Sequence, residues 1–249
     1  MDPADFYTGV VAEAYAPLKS FSQGPEPYAA FVQEAGGPAL ELGCGDGDPL
    51  LALRRRGLDV EGVDSSADML ARCRRRADEE GIAVTLHHQR MEALDLPRRF
   101  QAIFLAGPTF NLLPDDATAE AALRSIRGHL ADGGSALIPL HIPSRTPAGR
   151  IGQIRAATAD DGAELRFSLV SEERDENTRT QRALLRYERR GPDGNTVVER
   201  PWLLHWYTRA GFQELAAATG LITVSVTEAD GAPAREDATS ISFRLQAAL

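Results

Sequence analysis

Ala39-Leu40-Glu41-Leu42-Gly43-Cys44-Gly45-Asp46-Gly47, followed after a short helical stretch by Val60-Glu61-Gly62-Val63-Asp64, decides how this chain folds. An apolar strand runs into three glycines at alternate positions, a helix is expected to open at Asp48-Pro49, and a second strand ends on a carboxylate. Glycines at the carboxyl end of a strand let the chain turn with positive φ, and they remove the Cβ atoms that would keep a ligand off main-chain N–H groups. Asp48 suits an N-cap and Pro49 the first helical position, which would aim a helix N-terminus at that ligand. Asp64, at the tip of the next strand, is placed to accept hydrogen bonds from both hydroxyls of a ribose. Together these features imply a pocket for a nucleoside cofactor.

Spacing separates the cofactor classes. A dinucleotide fold wants G-x-G-x-x-G, but counting from Gly43 and Gly45 the third position holds Asp48, and Gly47 arrives one residue early. The run Glu41-x-Gly43-x-Gly45-x-Gly47 instead resembles the first motif of the class I S-adenosylmethionine-dependent methyltransferases. In that family the acidic residue opening the motif helps hold the methionine end of the cofactor.

Outward from the motif, Pro38 to Pro143 alternates strand and helix, which predicts a parallel sheet with helices on both faces. Strands are expected at Ala39 to Leu42, Asp59 to Val63, Ala83 to His88, Ala102 to Ala106 and Ser135 to Leu140. Helices are expected at Pro49 to Arg56, Ala67 to Glu80 and Ala117 to His129, the last stopped by Asp132-Gly133-Gly134. Upstream, aromatic residues at Phe6, Tyr7, Tyr15, Phe21, Tyr28 and Phe31, split at Gln23-Gly24-Pro25-Glu26-Pro27, predict a helical lid with a hinge. Downstream, Ala163 to Thr208 carries period-two alternation and the turn signal Pro192-Asp193-Gly194, as an antiparallel meander would. A helix at Arg209 to Thr219 and strands at Thr223 to Glu228 and Thr239 to Leu245 close the chain. The expectation is a doubly wound α/β fold: a seven-stranded, mostly parallel sheet whose last strand is antiparallel. Residues 1–37 form the lid, 38–143 and 209–249 the cofactor-binding core, and 144–208 an inserted substrate-capping region.

The 249 residues, 43% hydrophobic and 25% charged, are enough for one such core with an elaboration. A net charge of -9 opposes a nucleic-acid partner, since the runs Arg54-Arg55-Arg56 and Arg72-Cys73-Arg74-Arg75-Arg76 fall on outer helix faces. Met1-Asp2-Pro3-Ala4-Asp5 lacks the basic and apolar regions of a signal peptide, and no apolar run approaches the roughly 20 residues that span a bilayer. A cytoplasmic protein without a membrane partner, monomer or homodimer, is expected. Cys44 and Cys73 offer no zinc spacing, and His87 and His88 on one strand point to opposite faces, so no metal is expected. Lys19 is the only lysine amid abundant Arg, Ala and Gly, which suggests a GC-rich bacterial genome.

The order of elements resembles small-molecule methyltransferases of bacterial secondary metabolism, including deoxysugar N,N-dimethyltransferases. That likeness implies an enzyme using S-adenosylmethionine to methylate O, N or S of a small-molecule substrate. It places Glu41, Gly43, Cys44, Gly45 and Gly47 about the cofactor, with Asp64 and its neighbour Ser65 at the ribose. Met69 matches an apolar residue flanking the adenine, Met91 stands where a backbone N–H meets the adenine ring, Ala106 ends the fourth strand beside the pocket, and Tyr15 of Ala12-Glu13-Ala14-Tyr15 leans in from the lid. Arg90 departs from the family, standing where an aspartate commonly accepts the adenine amino group. Arginine has no acceptor, and Glu92 is its expected substitute. Two other classes share the cofactor motif: a methyltransferase of protein or nucleic acid, and a binding protein without catalysis.

A sulfonium methyl is already electrophilic, so alignment alone suffices for a neutral amine, whereas a hydroxyl needs a base. His141, after the fifth strand, and His205, in the meander, are the candidates, with Tyr15 and Tyr207 as alternatives. Alternation puts Trp202, Leu204 and Trp206 on one face and His205 with Tyr207 on the other, and core packing is the expected role of the tryptophans. Asn111, in the turn Pro108-Thr109-Phe110-Asn111, is read as a turn residue or a substrate-orienting one.

Overall fold

A computed structural model gives the fold and describes residues 5–19, 24–192, 194–229 and 231–248. Phe21, Gln23 and Asp193, used above for the lid and a turn, lie outside the described residues. The central strand β1 (Ala39–Leu42) is buried along its whole length. It pairs in parallel with β2 (Val60–Asp64) on one side and β4 (Phe100–Leu105) on the other. With β3 (Leu86–His88), β5 (Leu130–His141), β10 (Leu221–Thr227) and β11 (Ser240–Ala247) the sheet order is β10-β11-β5-β4-β1-β2-β3. Only β11 runs against its neighbours, pairing antiparallel with both β5 and β10. The expected seven-stranded sheet with an antiparallel last strand is therefore the observed one.

Period-two alternation sends the two sides of this sheet into two cores. Leu40, Leu42, Ile103, Leu105, Ile138 and Phe243 pack with α5 (Asp116–His129) and α6 (Arg209–Ala218) through Leu123, Ile126 and Phe212. Ala39, Val60, Ala102 and Phe104 face α2 (Glu26–Ala35), α3 (Leu50–Arg55) and α4 (Ala67–Glu79) through Phe31, Leu53 and Leu70. Each buried Leu, Ile, Val or Phe among them contributes about 1.5–3 kcal/mol, so the sheet is a rigid platform for whatever its carboxyl edge carries.

Several boundaries differ from expectation for local reasons. The helix after the glycines begins at Leu50 with Pro49 as its cap residue and no side-chain cap bond. Asp48 is not an N-cap: its carboxylate lies 2.6 Å from Lys19 Nζ. Strand β3 has only three paired residues, because it is an edge strand bonded to β2 alone. Asp132-Gly133-Gly134 does not stop α5, which ends at His129, but forms an irregularity within β5. Gly133 takes φ 74°, and a Cβ on Gly134 would sit 2.9 Å from the carbonyl oxygens of Ala131 and Phe100.

The meander is a separate four-stranded antiparallel sheet: β6 (Ile154–Thr158), β7 (Glu164–Asp175), β8 (Thr180–Gly191) and β9 (Gly194–His205). The first of these was not anticipated, since its residues are mostly exposed and show no alternation. Lid helix α1 (Val10–Leu18) packs on the meander rather than the core: Ala14 and Leu18 meet Leu165, while Phe6 and Val11 meet Ala183 and Leu185. Among the described residues no helix is long and apolar enough to cross a membrane.

Candidate active site

The glycine turn closes on Asp64. Gly43 and Gly45 adopt φ 71° and 54°, and Gly45 N–H donates to Asp64 Oδ2 at 2.8 Å while Ser66 N–H donates to Oδ1 at 2.8 Å. A carboxylate has roughly four acceptor sites, so two remain for a ligand after these bonds. Burial raises the Asp64 pKa, opposed by the same two backbone N–H groups. A Cβ on Gly43 would lie 2.6 Å from Thr109 Cγ2, so only glycine leaves backbone exposed there. Gly47 serves a different end: its Cβ would strike Cys73 Sγ at 2.8 Å and Leu51 Cγ at 2.9 Å, so it permits helix packing.

Glu41 is fully buried in β1, and neither carboxylate oxygen has a hydrogen-bond partner among the described residues. Burial pushes its pKa well above the usual range, and repulsion from Asp48, Asp64 and Asp46 adds to the shift. Such a group is costly unless a cation meets it. An α-ammonium would satisfy it, which is the fit expected of the methionine end of S-adenosylmethionine.

Above this turn lies a cavity of about 790 Å³. Its floor is Gly43, Gly45, Val63, Asp64, Ser65 and Met69, and one side is Gln89, Arg90, Met91 and Glu92. Thr109, Leu112, Leu113, Pro114 and Thr118 supply another side. The lid contributes Phe6, Tyr7 and Tyr15, and the meander Arg182, Ala183, Pro201, Trp202 and Leu203. Of the cofactor residues expected from sequence, Gly43, Gly45, Asp64, Ser65, Met69, Met91, Glu92 and Tyr15 line it; Glu41, Cys44, Gly47 and Ala106 do not. Cys44 is buried, with its Sγ 2.8 Å from where a Gly62 Cβ would stand. Arg90 lies 3.7 Å from Glu92.

Of the four expected bases only Tyr15 lines the cavity. His141, His205 and Tyr207 are absent from the lining. His141 Nδ1 is 2.8 Å from Ser240 Oγ, turned toward β11. His205 is buried, with Nδ1 2.9 Å from Tyr207 Oη and Nε2 3.6 Å from Asp116, and burial lowers its pKa. Asn111, fully enclosed, joins the two strand ends: its Nδ2 donates to the His205 carbonyl at 2.7 Å and its Oδ1 accepts from His141 N–H at 3.0 Å. Trp202, expected in core packing, packs against the Phe6, Val11, Ala183 and Leu185 cluster and also forms chamber wall, while Trp206 is buried, beneath the Arg174 guanidinium at 3.9 Å. Thr109 and Leu112 to Pro114 had one usable signal, their place just after β4 at the carboxyl edge where doubly wound sheets bind ligands.

A methyltransferase-domain family matches residues 39–134. A protein of Streptomyces fradiae, dTDP-3-amino-3,6-dideoxy-alpha-D-glucopyranose N,N-dimethyltransferase, is 31% identical over 230 residues, covering 88% of this chain and 86% of its own. The chain belongs to the class I S-adenosylmethionine-dependent methyltransferases that act on small molecules. Two solved structures share the fold of this methyltransferase. The CcbJ methyltransferase from Streptomyces caelestis superposes with a TM-score of 0.79 at 22% identity over 99% of both chains. The sugar N-methyltransferase KedS8 from Streptoalloteichus sp superposes with a TM-score of 0.68 at 22% identity, over 90% of this chain and 87% of its own.

Bound S-adenosylmethionine supplies a methyl group already activated on a positively charged sulfur. The methyltransferase's own residues would hold it: Glu41 for the ammonium, the exposed backbone at Gly43 and Gly45, Asp64 for the ribose, and Met69 and Met91 for the base. The lid encloses the site. Ser66 Oγ donates to the Tyr7 carbonyl, Gly9 N–H donates to Asp68 at 2.7 Å, and Lys19 pairs with Asp48 in the glycine turn. Keeping water out and the acceptor in line is the main task left, one that contributes roughly 7–11 kcal/mol in favourable cases.

Proposed function

We propose that this enzyme methylates the amino group of an amino sugar, or of a similarly hydroxylated ring amine. The observation that carries the proposal is the proton chemistry of the chamber wall. Its ionisable residues are Tyr7, Tyr15, Asp64, Arg90, Glu92 and Arg182. Burial raises the pKa of both tyrosines, Tyr15 to about 12, so neither is a phenolate near neutral pH. Asp64 accepts from Gly45 and Ser66, with its remaining acceptor sites left for the expected ribose, Glu92 sits beside Arg90, and arginine does not accept protons. No lining histidine is present. A hydroxyl would keep its proton here, whereas an uncharged amine already has the lone pair that displaces the sulfonium.

The Streptomyces fradiae relative supports the same acceptor, being named for N,N-dimethylation of a nucleotide-linked amino sugar. The test is a panel of sugars matched in pairs, amino against hydroxy at one carbon, free and linked to a nucleoside diphosphate, incubated with isotopically labelled cofactor. Mass spectrometry should show one or two labelled methyl groups on amino members and none on their hydroxy partners. Methylation of a hydroxy member at a rate comparable to its amino partner would overturn the reading.

A further inference from the structure

Four aromatic side chains close one end of the chamber. Phe6 and Tyr7 come from the segment before α1, Tyr15 from α1 and Trp202 from β9. The rings interlock, with centroids 4.5 Å apart for Phe6 and Trp202, 5.0 Å for Phe6 and Tyr7, 5.4 Å for Tyr7 and Tyr15, and 5.9 Å for Tyr7 and Trp202. All four ring pairs meet edge to face. In an edge-to-face cluster the ring planes are steeply inclined to one another, so these four side chains present aromatic edges and faces along one end of the chamber.

Carboxylates stand near Tyr15 at that end, while Arg90 and Arg182 also line the chamber. Beyond burial, Asp46, Asp48, Asp64 and Glu41 all act on Tyr15 to disfavour further negative charge. Lys19 already lies over the Tyr15 ring, its Nζ 5.5 Å from the centroid. Methyl transfer to an amine makes a cation of the acceptor: the nitrogen lone pair forms the new N–C bond, and the C–S electrons leave with sulfur. Positive charge thus passes from sulfur to nitrogen. A proton must then leave that nitrogen for water before a second transfer. A lone carboxylate or hydroxyl would hold this cation by hydrogen bonds that a tertiary ammonium has few donors to make; aromatic faces hold it whatever its degree of methylation.

We propose that Phe6, Tyr7, Tyr15 and Trp202 form an alkylammonium subsite, which binds the methylated, positively charged acceptor nitrogen through ring faces. The inference rests on the amine reading above and adds what recognises the amine. It also explains why the box is built from both lid and meander: it is complete only when the two are packed together.

The test uses choline and its carbon isostere, in which a tert-butyl group replaces trimethylammonium, titrated calorimetrically into the enzyme loaded with S-adenosylhomocysteine. Shape and size are shared, so the ratio of affinities reports charge recognition. Choline should bind at least about fivefold tighter. The ratio should fall below about twofold in Trp202→Leu and persist in Trp202→Phe. Should Trp202→Leu fail to fold, protein made with fluorinated tryptophan keeps the shape while draining the ring of negative charge, and the ratio must fall there. Equal affinities, no choline binding, or a ratio unmoved by these changes would overturn the subsite. Those outcomes leave the sugar-panel result untouched, and a failed sugar panel with a retained choline preference would remove the acceptor while sparing the subsite.

Discussion

Glu41 is a carboxylate enclosed by the sheet with no hydrogen-bond partner for either oxygen among the described residues, and burial holds its pKa well above the usual carboxylate range. A carboxyl whose pKa is raised on folding stabilises the fold fully below its unfolded value near 4.5, and that contribution is lost as pH rises through the folded value. Without cofactor, Glu41→Gln should therefore be more stable than the parent at high pH and equal to it at low pH. The gap should grow by at most about 1.4 kcal/mol per pH unit. An ammonium arriving from the cofactor reverses the penalty, so the same variant should bind cofactor more weakly. Calorimetry in buffers of different ionisation enthalpy should detect a proton released on binding to the parent and none with Glu41→Gln; equal release from both would contradict the assignment. At this scale the sequence was informative where spacing is local. Gly43, Gly45 and Asp64 could be placed because one strand, one turn and the next strand fix their meeting. His141 could not, because its partner Ser240, 99 residues away, decides which way the ring turns; His205 does pair with Tyr207, expected on its own face, but alternation alone did not say that this pair lies outside the chamber.

Between elements, Asn111 ties the end of β9 to the end of β5 with one amide, donating to the His205 carbonyl and accepting from His141 N–H. Asn111→Ala would leave a buried carbonyl and a backbone N–H without partners at once. At about 1–3 kcal/mol for each unsatisfied group, the loss should be on the order of 2–6 kcal/mol in urea unfolding. A loss under about 0.5 kcal/mol would mean that water replaces the amide freely. The residue was legible as a turn residue, but its bridging role was not, since the two strands it joins are far apart in sequence. Elements themselves could be read where burial imposes a period. The β1 and β2 strands, buried almost throughout, and α4, which buries Met69, Leu70, Cys73 and Ala77 on one face, are examples. Exposed β6 imposes none. Trp202 shows the limit of period two: alternation sorts residues onto two faces of β9, but only the lid packed against the meander determines which of those residues reach the chamber.

For the whole molecule, strand and helix alternation was enough to specify a parallel sheet, because parallel neighbours require crossovers. The chamber depends on more. Its floor and two of its sides belong to the core, and the rest of its wall comes from a lid and a meander that contact each other, the lid pinned to the core through Ser66, Asp68 and Asp48. Ligand bound at this junction should therefore stabilise the entire chain. At a cofactor concentration one hundred times its dissociation constant, linkage gives about 2.7 kcal/mol. For a chain of this size each kcal/mol raises Tm by about 2–4 °C, so a shift of roughly 5–11 °C is expected. With Asp64 holding the ribose as inferred, Asp64→Ala should cost cofactor binding on the order of 1.5–3 kcal/mol, the range for bonds to a charged group. At the same cofactor concentration its shift should shrink by more than half. Because Asp64 also holds Gly45 and Ser66, the variant's own Tm should fall before any ligand is added, so the diagnostic quantity is the ligand-induced difference within each protein. An undiminished difference in Asp64→Ala would place the cofactor's ribose elsewhere.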